Sequence, residues 1–441
     1  ALGKLIRKKE VGVIINACDA GREGELIFHY IIEHEKGKTG LKNKVLKRLW
    51  MQSMTTSAIQ EAFENLRSNE EMLNLQEAAI SRSEADWLVG INGSRALTAY
   101  KNTAGSFRLT PCGRVQTPTL AMIVQREKER LAFEPKTFWT IQGIFQNNKE
   151  NYPGKWFLNK GKETSKQIFN QEEALAILKK CEGKEGSVSE TTKPSTQKCG
   201  PLYDLTSLQR EANNRFGFSA KTTLQIAQAL YEKHKLTTYP RTDSKFLPED
   251  YVSTVKKTLG MLKGSLEPFA EQVLKNNWVK KNPKIFDNKK ISDHHAIIPT
   301  GNAPKSLTEA EQKIYNMICQ RFIAVFFPPA QYLNTERITT IEGETFLTEG
   351  KILVDPGFLA VYGKEAKQEG DLPKLANNKA KNIELESIED TTKPPARYTE
   401  SSLLSMMEGA GKLIEDDELR DAIKDRGLGT PATRAATIEK L

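Results

Sequence analysis

The sequence predicts a multidomain fold that combines an α/β domain with helical and β-rich segments. Its 441 residues are too many for one hydrophobic core. The apolar run VGVIIN at residues 11–16 predicts a buried parallel strand. A turn with glycines and the helix-like LIFHYIIEH follow it, which is the pattern of a βα unit in an open α/β sheet. Helical periodicity follows over residues 55–133, and apolar and polar residues alternate from Thr137 onward.

These changes of pattern divide the chain into six predicted segments. Alternation returns in LNTERITTIEGETFLTEGKILV, so we expect two β-rich segments to form one domain that a helical segment interrupts. Within that helical segment, two helices meet at a tight turn around Gly217 and Ser219, as in a helix-turn-helix. In order, the segments are α/β (1–70), helical (71–136), β-rich (137–204), helical (205–328), β-rich (329–392) and helical (393–441).

Composition narrows the class of protein. The 65 Lys and Arg residues outnumber the 56 Asp and Glu residues, and the net charge of +9 favours a polyanionic partner. The five cysteines include no C-x-x-C pair, which argues against a zinc ribbon and fits a reducing cytoplasm. No apolar run approaches the roughly 18 residues of a membrane span, so we expect no membrane partner. The basic start, ALGKLIRKKE, lacks the features of a signal peptide.

The first candidate site is ACDAGREGE, residues 17–25. Asp19, Glu23 and Glu25 follow a predicted strand, and ligands of open α/β sheets bind at the carboxyl ends of strands. Carboxylates there can hold Mg²⁺, which binds one or two carboxylates together with waters and phosphate oxygens. Acidic residues also favour the first turn of a helix, so the two glutamates have a structural explanation as well.

The second candidate site is KLTTYPRTDS, residues 235–244. Pro240 favours an extended backbone at Tyr239, and Arg241 follows in a polar loop. A phenol attacks a phosphodiester poorly unless a cation stabilises the phenolate and the phosphate charge. Arg241 is always charged and can bind phosphate through two hydrogen bonds. A loop that only packs against its neighbours is the alternative explanation.

Two further sets of residues have chemistry of interest. SDHHAIIPT, residues 292–300, holds two of the five histidines, which can bind phosphate, move a proton or bind a metal. Basic and polar residues occur beside glycines at Arg82, Arg95, residues 111–119 and residues 427–434, where a backbone can approach phosphates closely. Solvated turns have the same composition. The segment GAGKL lacks the leading glycine of a P-loop, so we expect no ATP hydrolysis.

Together these motifs resemble those of the type IA DNA topoisomerases, and within them the bacterial topoisomerase III group. The resemblance covers nearly the whole chain and keeps the order DAGREGE, EADWLVGINGSRALT, GRVQTPTL, LYDLTSLQREANNRFGFSA, YEKHKLTTYPRTDS, DHHAIIPTG, KPPARYTE and GLGTPATRAATIEKL. It implies a Toprim domain at the start of the chain. It also implies a toroidal core, in which helix-turn-helix-like domains and a β-rich hinge domain surround a hole for DNA.

The resemblance also implies a reaction and its residues. Tyr239 matches the family nucleophile, which forms a 5′-phosphotyrosyl link to one DNA strand and leaves a free 3′-hydroxyl. A second strand passes through the gap before religation, so negative supercoils relax and DNA decatenates without ATP. The other matching positions are those of active-site residues (Arg241, Glu232 and His294) and of Mg²⁺ ligands (Asp19 and Glu23).

Segments that line the family's single-strand groove have counterparts in this chain. They are Arg82, Asp86, Arg95, Pro111, Cys112, Gly113, Arg114, Val115, Gln116, Thr433 and Arg434. The implied partners are single-stranded and negatively supercoiled DNA and a helicase, and the implied protein is a monomer at the nucleoid of the bacterial cytoplasm. Contacts to the DNA backbone predict salt-dependent binding with little sequence preference.

Two departures from the family pattern bear on activity. Many relatives carry D-x-D-x-E where this chain has Asp19, Gly21 and Glu23, so one metal carboxylate is absent. The family's first Toprim strand, with a Glu and a Lys used in cleavage, is expected to precede residue 1, and Leu441 stops inside a helix motif, so we expect truncation at both ends. Two rival functions are a different Toprim enzyme, such as a primase or nuclease, and a single-strand DNA-binding fragment or inactive relative.

Overall fold

The computed structural model describes residues 2–36, 41, 43–102, 107–160, 163–366, 372–413 and 427–441. The chain forms two compact units, each assembled from separate stretches of sequence. The first unit comprises residues 1–124, 200–325 and 398–441, and the second unit comprises residues 125–199 and 326–397. Each unit is therefore discontinuous along the chain.

Helices and strands alternate in long blocks. The helices are α1 (Leu2–Ile6), α2 (Arg22–Lys36), α3 (Thr56–Glu64), α4 (Leu73–Lys101), α5 (Gln116–Leu131), α6 (Gln171–Cys181), α7 (Leu205–Phe216), α8 (Ala220–Glu232), α9 (Val252–Met261), α10 (Glu267–Lys275), α11 (Glu309–Ala324), α12 (Glu400–Glu408) and α13 (Pro431–Ile438). The strands are β1 (Val13–Asn16), β2 (Val45–Arg48), β3 (Arg67–Ser68), β4 (Thr137–Asn147), β5 (Glu150–Trp156), β6 (Leu158–Lys160), β7 (Glu163–Ser165), β8 (Glu185–Gln197), β9 (Ala330–Ile341), β10 (Glu344–Asp355) and β11 (Lys379–Thr391). Among the described residues, no helix combines the length and apolar character needed to cross a membrane.

The first unit contains a three-stranded sheet in the order β1, β2, β3, and the acidic motif follows β1 in the chain. β1 and β2 are parallel, with Val13 opposite Val45 and Asn16 opposite Arg48. The βα unit predicted from VGVIIN is therefore present, and α2 follows β1. The expectation that this strand is buried is wrong, since Val13 and Ile15 are 50% and 36% exposed. In the described part of the chain, β1 is an edge strand with one neighbouring strand.

In the second unit, six antiparallel strands form a closed sheet in the order β10, β5, β4, β11, β8, β9. Both alternating stretches of the sequence, from Thr137 and from Leu333, contribute strands to it. Alternation turns every second side chain inward, where Phe145, Tyr152 and Phe346 form an aromatic cluster. α6 packs against this sheet. Burial of these large apolar side chains is the main stabilising term for the second unit.

Two helices of the first unit meet at a tight turn. α7 ends at Gly217, whose φ of 69° is a left-handed conformation that glycine adopts without strain. Ser219 then caps α8 by accepting a hydrogen bond from the Thr222 amide. Local chemistry thus fixes both ends of the connection, and the chain leaves α8 towards Tyr239.

Truncating the aromatic cluster should destabilise the second unit. Phe145 is fully buried, so Phe145→Ala leaves a cavity and is expected to lower the free energy of unfolding by about 3–5 kcal/mol. Urea unfolding followed by circular dichroism measures the loss. Leu175→Ala, at a 53% exposed position of α6, is the control, with an expected change within about 0.5 kcal/mol. Equal losses for the two variants would contradict the packing described for Phe145.

Candidate active site

A buried arginine holds the acidic loop. β1 ends at Asn16 and α2 begins at Arg22, with the acidic loop between them. Arg48 is only 1% exposed and donates hydrogen bonds to three carbonyl oxygens of this stretch, those of Asn16, Cys18 and Asp19. Two of these carbonyls also accept backbone hydrogen bonds, Asn16 O from Leu49 N at 3.0 Å and Asp19 O from Gly21 N at 2.8 Å, and the arginine ties all three to β2. The position of Asp19 therefore depends on Arg48.

Glu25 is the ionic partner of this arginine. Its Oε1 lies 2.6 Å from Arg48 Nε, and its Oε2 accepts a hydrogen bond of 3.1 Å from Asn16 Nδ2. Burial raises the pKa of the Glu25 carboxyl, and the charge of Arg48 opposes that shift. With 2% exposure Glu25 is a structural residue. Glu23 lies in the same first turn of α2 but is exposed to solvent.

Hydrogen bonds between two loops position Tyr239. Thr238 N donates to Ile298 O at 2.9 Å, so the segment before the tyrosine runs beside the segment that follows the two histidines. On the other side of the tyrosine, Thr242 Oγ1 donates to His294 O at 2.7 Å. Tyr239 is therefore fixed from both sides against the histidine loop.

The Tyr239 ring lies against two other aromatic side chains. Its centroid is 4.3 Å from that of His294 and 5.4 Å from that of Tyr231. Burial raises the pKa of Tyr239, and the positive charge of Arg241 opposes the shift. The phenol is therefore protonated at neutral pH, and attack by its oxygen requires loss of the proton.

His294 links the tyrosine to the acidic loop. Its Nε2 lies 3.5 Å from Asp19 Oδ2, and the Asp19 side chain remains 58% exposed. The His294 ring holds the pKa of the Asp19 carboxyl below its usual value. The structure thus brings together Asp19, Tyr239 and His294, which lie in three separate motifs of the sequence.

The adjacent His295 has a different environment. It is 8% exposed, and its Nδ1 lies 2.9 Å from Ala296 O. Its ring also packs edge-on against Tyr251. Burial lowers the pKa of His295 to about 4, so its ring is neutral at neutral pH. His295 is therefore a packing residue of the loop that presents His294.

Asp293 is a residue of this site that the sequence motifs did not single out. A Cβ built on Gly21 would lie 2.5 Å from Asp293 Cγ, so this carboxylate fills the space of a Gly21 side chain. Burial raises the pKa of Asp293, His294 opposes that shift, and acidic neighbours raise it further, namely Asp243, Asp19 and Glu23. No spacing in the sequence connects positions 21 and 293. The only available signal was the position of Asp293 beside the histidine pair.

Side chains after β2 connect the small sheet to the histidine loop. Gln52 Nε2 donates to the carbonyl oxygens of Ile291 and Ser292, each at 2.7 Å. Thr55 Oγ1 donates to Asp250 Oδ2, also at 2.7 Å. These bonds join the segment after β2 to the histidine loop and to Asp250, and nothing in the sequence indicated them.

The other two predicted active-site residues are exposed. Arg241 lies two positions after Tyr239, and its charge acts on the phenol. Glu232 is the last residue of α8, and the ring contact from this helix end to Tyr239 comes from the preceding residue, Tyr231. Catalytic roles for Arg241 and Glu232 stay predictions.

Residues predicted to line a DNA groove lie on α4 and in the loop before α5. Arg82 and Arg95 are both exposed on α4. Asp86, on the same helix, forms an ion pair with Arg114 of the loop. The pairing fixes Arg114, while the two helix arginines present their charge to solvent.

The loop at residues 111–116 packs against α4 through small side chains. Cys112 N donates to Ser94 Oγ at 2.9 Å. A Cβ on Gly93 would lie 2.8 Å from Cys112 Sγ, so the close approach requires glycine. Pro111 and Arg114 are exposed, and the partly buried residues of the loop are Cys112, Gly113, Val115 and Gln116.

Thr433 and Arg434 lie in α13. Thr433 Oγ1 accepts a hydrogen bond of 3.0 Å from Thr430 N at the start of this helix. Arg434 is 4% exposed, and it donates to Thr206 Oγ1 and to Leu428 O, both at 3.0 Å. In this structure Arg434 connects α13 to α7, and its contact with DNA stays a prediction.

A comparison with protein families matches most of the chain. Residues 70–441 match the family model described as DNA topoisomerase. The chain belongs to the DNA topoisomerase family. The matched range includes the segments that carry Tyr239 and His294, whereas the acidic loop with Asp19 precedes it.

Individual relatives confirm the resemblance to the topoisomerase III group. The chain is 43% identical over 460 residues to DNA topoisomerase 3 of Bacillus subtilis and 42% identical over 456 residues to DNA topoisomerase 3 of Bacillus licheniformis. These alignments cover 100% and 99% of this chain but 60% of each relative. Full-length topoisomerase I from Thermotoga maritima has a similar structure, with a TM-score of 0.69, 25% identity and coverage of 100% of this chain and 68% of that one.

Removing the buried arginine should destabilise the first unit. In Arg48→Met the Glu25 carboxylate loses its partner, and we expect the free energy of unfolding to fall by about 3–5 kcal/mol at neutral pH. Unopposed burial raises the folded-state pKa of Glu25 further. A raised pKa of Glu25 favours the folded state at low pH, where the carboxyl is protonated, and this contribution is lost as the pH rises. The loss of unfolding free energy in Arg48→Met should therefore be smaller near about pH 4.5 than at neutral pH. Urea unfolding at the two pH values measures the difference.

The double variant Arg48→Met with Glu25→Leu is the control for this prediction. It removes both buried charges and is expected to be more stable than Arg48→Met alone. A single variant as stable as the parent would show that Arg48 does not anchor the loop.

Proposed function

We propose that this chain carries the cleavage site of a type IA DNA topoisomerase, with Tyr239 as the nucleophile. The observation that carries the proposal is the contact between three motifs. The Tyr239 ring packs on His294, and His294 lies 3.5 Å from Asp19. The match to the topoisomerase family and the two relatives named DNA topoisomerase 3 support the same activity.

The first step is a transesterification on one DNA strand. The Tyr239 oxygen loses its proton and attacks a backbone phosphorus, which forms a 5′-phosphotyrosyl ester. The bond from phosphorus to the 3′ oxygen breaks, and that oxygen takes up a proton and leaves as a hydroxyl. Because one phosphate ester replaces another, the step needs no ATP, and attack by the 3′-hydroxyl reverses it.

Charged side chains of the site fit separate parts of this reaction. Arg241 is exposed and close enough to act on the Tyr239 phenol, so it is positioned to bind the phosphate and stabilise negative charge in the transition state. His294 lies against the phenol and can hold a proton or a phosphate oxygen near the scissile bond. Glu232, at the end of α8, completes the proposed set.

Asp19 and Glu23 are the proposed Mg²⁺ ligands. In the described ranges of the chain, no three His, Cys, Asp or Glu side chains are spaced to enclose a metal ion. Mg²⁺ does not require such a cage, since it binds through one or two carboxylates and completes its shell with waters and phosphate oxygens. Both side chains are exposed, and hard oxygen donors fit this ion. When bound, the ion neutralises phosphate charge and orients the DNA backbone.

The wider function is proposed from the family. The complete protein relaxes negatively supercoiled DNA and decatenates DNA by passing a second strand through the gap, in the bacterial cytoplasm. Residues 1–70 are proposed as a Toprim domain, the second unit as the β-rich hinge domain, and α4 with residues 111–116 as a groove for single-stranded DNA. The toroidal arrangement, a helicase partner and a monomeric state stay predictions.

Loss of the Tyr239 hydroxyl should abolish the covalent intermediate. The full-length gene product, incubated with an end-labelled single-stranded oligonucleotide and stopped with detergent, is expected to form a protein–DNA adduct. Tyr239→Phe keeps the ring but has no nucleophilic oxygen, and adduct is expected to fall to background. Tyr231→Phe, whose ring packs 5.4 Å away, is the matched control and is expected to form adduct. Undiminished adduct in Tyr239→Phe would refute this nucleophile.

Removal of the two exposed arginines of α4 should weaken binding to single-stranded DNA. Arg82→Ala with Arg95→Ala is expected to make the slope of log K against log salt shallower by about 0.7 for each phosphate that the variant no longer neutralises. Fluorescence anisotropy of a labelled oligonucleotide at several salt concentrations measures the slope. Lys155→Ala with Lys179→Ala removes the same charge from exposed positions of the second unit and is expected to leave the slope unchanged. Identical slopes for the two double variants would exclude a specific groove on α4.

A further inference from the structure

We propose that His234 is a positioning residue for Tyr239, which it orients through a hydrogen bond to Glu311 and a backbone corner at Lys235. This role rests on the proposed function, because it concerns how the Tyr239 oxygen approaches the phosphate. It adds to the site a histidine that lies just after α8 and outside the loop of His294.

The hydrogen bond between His234 and Glu311 is the first observation. His234 Nε2 lies 3.1 Å from Glu311 Oε1, and the two side chains are 9% and 11% exposed. Glu311 Oε2 accepts from Thr308 N at 2.8 Å, as part of the cap at the start of α11. This backbone hydrogen bond holds the pKa of Glu311 below its usual value, so the carboxylate is ionised at neutral pH. An ionised carboxylate only accepts hydrogen bonds, and His234 Nε2 is therefore the donor.

The chain changes direction immediately after His234, and this corner is the second observation. Lys235 has a φ of 57°, a left-handed conformation that a residue with a Cβ seldom adopts. Such a conformation persists where surrounding contacts hold it. The side-chain hydrogen bond of His234 holds one side of the corner. On the other side, Lys235 O accepts from Thr300 Oγ1 at 2.7 Å and from Asn302 Nδ2 at 2.9 Å.

A short antiparallel ladder connects this corner to the nucleophile. Leu236 O accepts from Thr300 N at 3.0 Å, and Thr238 N donates to Ile298 O at 2.9 Å. A displacement at the start of a ladder is passed along it, because each bond fixes the register of the residues that follow. Tyr239 comes directly after the last of these bonds. The corner therefore sets the position of Tyr239 against the histidine loop.

The position of the phenol oxygen decides the rate of the proposed transesterification. Attack requires this oxygen to lie about 3–3.5 Å from the phosphorus, in line with the 3′ oxygen that leaves, and a displacement of about 1 Å can slow a reaction about a hundredfold. Cleavage and religation pass through the same transition state in opposite directions. A displaced phenol therefore slows both steps, and the fraction of DNA held as adduct at equilibrium stays the same.

The test compares two substitutions of His234 that differ in reach. In His234→Gln the side-chain N–H takes the place of the imidazole Nε2, whereas in His234→Asn the side chain is one carbon shorter and does not reach Glu311. The full-length gene product is mixed with an end-labelled single-stranded oligonucleotide, and samples are stopped with detergent over time. Compared with the parent, the rate constant of adduct formation is expected to fall at least about tenfold in His234→Asn and to stay within about threefold in His234→Gln. The final yield of adduct is expected to stay within about twofold in both variants.

Two controls separate positioning from stability and from DNA binding. Thr308→Ala removes the side-chain cap of α11 but keeps the backbone bond from Thr308 N to Glu311. It is expected to lower the Tm measured by circular dichroism and to leave the rate constant unchanged, because a loss of folded protein lowers the yield of adduct and not its rate constant. Fluorescence anisotropy is expected to give one Kd for DNA in all variants, since the partner of His234 lies within the protein.

The role of His234 is refuted if His234→Asn forms adduct at the rate of the parent, if Thr308→Ala is slowed as much, or if His234→Gln is as slow as His234→Asn. If His234→Asn does not fold, Glu311→Gln takes its place, because it replaces the ionised acceptor of the same hydrogen bond and keeps the side-chain shape. A rate constant equal to that of the parent in Glu311→Gln then refutes the role.

A failed positioning role is distinguishable from a failed function. If the parent forms the Tyr239 adduct and His234→Asn forms it equally fast, the role of His234 is refuted and the topoisomerase site remains. If Tyr239→Phe forms as much adduct as the parent, or if the parent forms none, the proposed function fails and the role of His234 fails with it.

Discussion

The candidate site depends on one buried charge. Arg48 lies in β2, beside β1, and its guanidinium satisfies carbonyl oxygens of the stretch that contains Asp19. Burying such a group is unfavourable unless ionic and hydrogen-bonding partners surround it, and Glu25 supplies the opposite charge. The residues of the acidic motif therefore differ in environment. Glu25 is a buried partner of Arg48, whereas Asp19 and Glu23 are exposed to solvent.

The titratable groups of the site differ in protonation state at neutral pH. Contact with His294 lowers the pKa of Asp19, which is ionised at neutral pH, whereas burial raises the pKa of Tyr239 and keeps the phenol protonated. His295 is neutral because burial lowers its pKa. A site with ionised carboxylates and a protonated phenol needs positive charge to receive a phosphate. In the proposed reaction Arg241 would supply one such charge, and a divalent cation at the carboxylates would supply another.

Much of the fold could be predicted from local patterns. The alternation that begins at Thr137 does form β4, and the turn at Gly217 follows from the left-handed backbone that glycine tolerates. The βα unit was also recognisable, because a strand, a glycine-containing turn and a helix are encoded by adjacent residues. The edge position of β1 was not, since the neighbours of a strand are chosen by distant parts of the chain.

The sequence by itself determined the kinds of residue available for chemistry and the order of the motifs that place the chain in its family. Only the tertiary structure decided which of those residues meet. It brought His294 to Tyr239 and Asp19, placed Tyr231 rather than Glu232 against the tyrosine ring, and buried Arg434. It also put Asp293 in the space of Gly21. The physical reason is that periodicity and capping report contacts a few residues apart, whereas these contacts join segments whose separation in the chain carries no information about their distance in space.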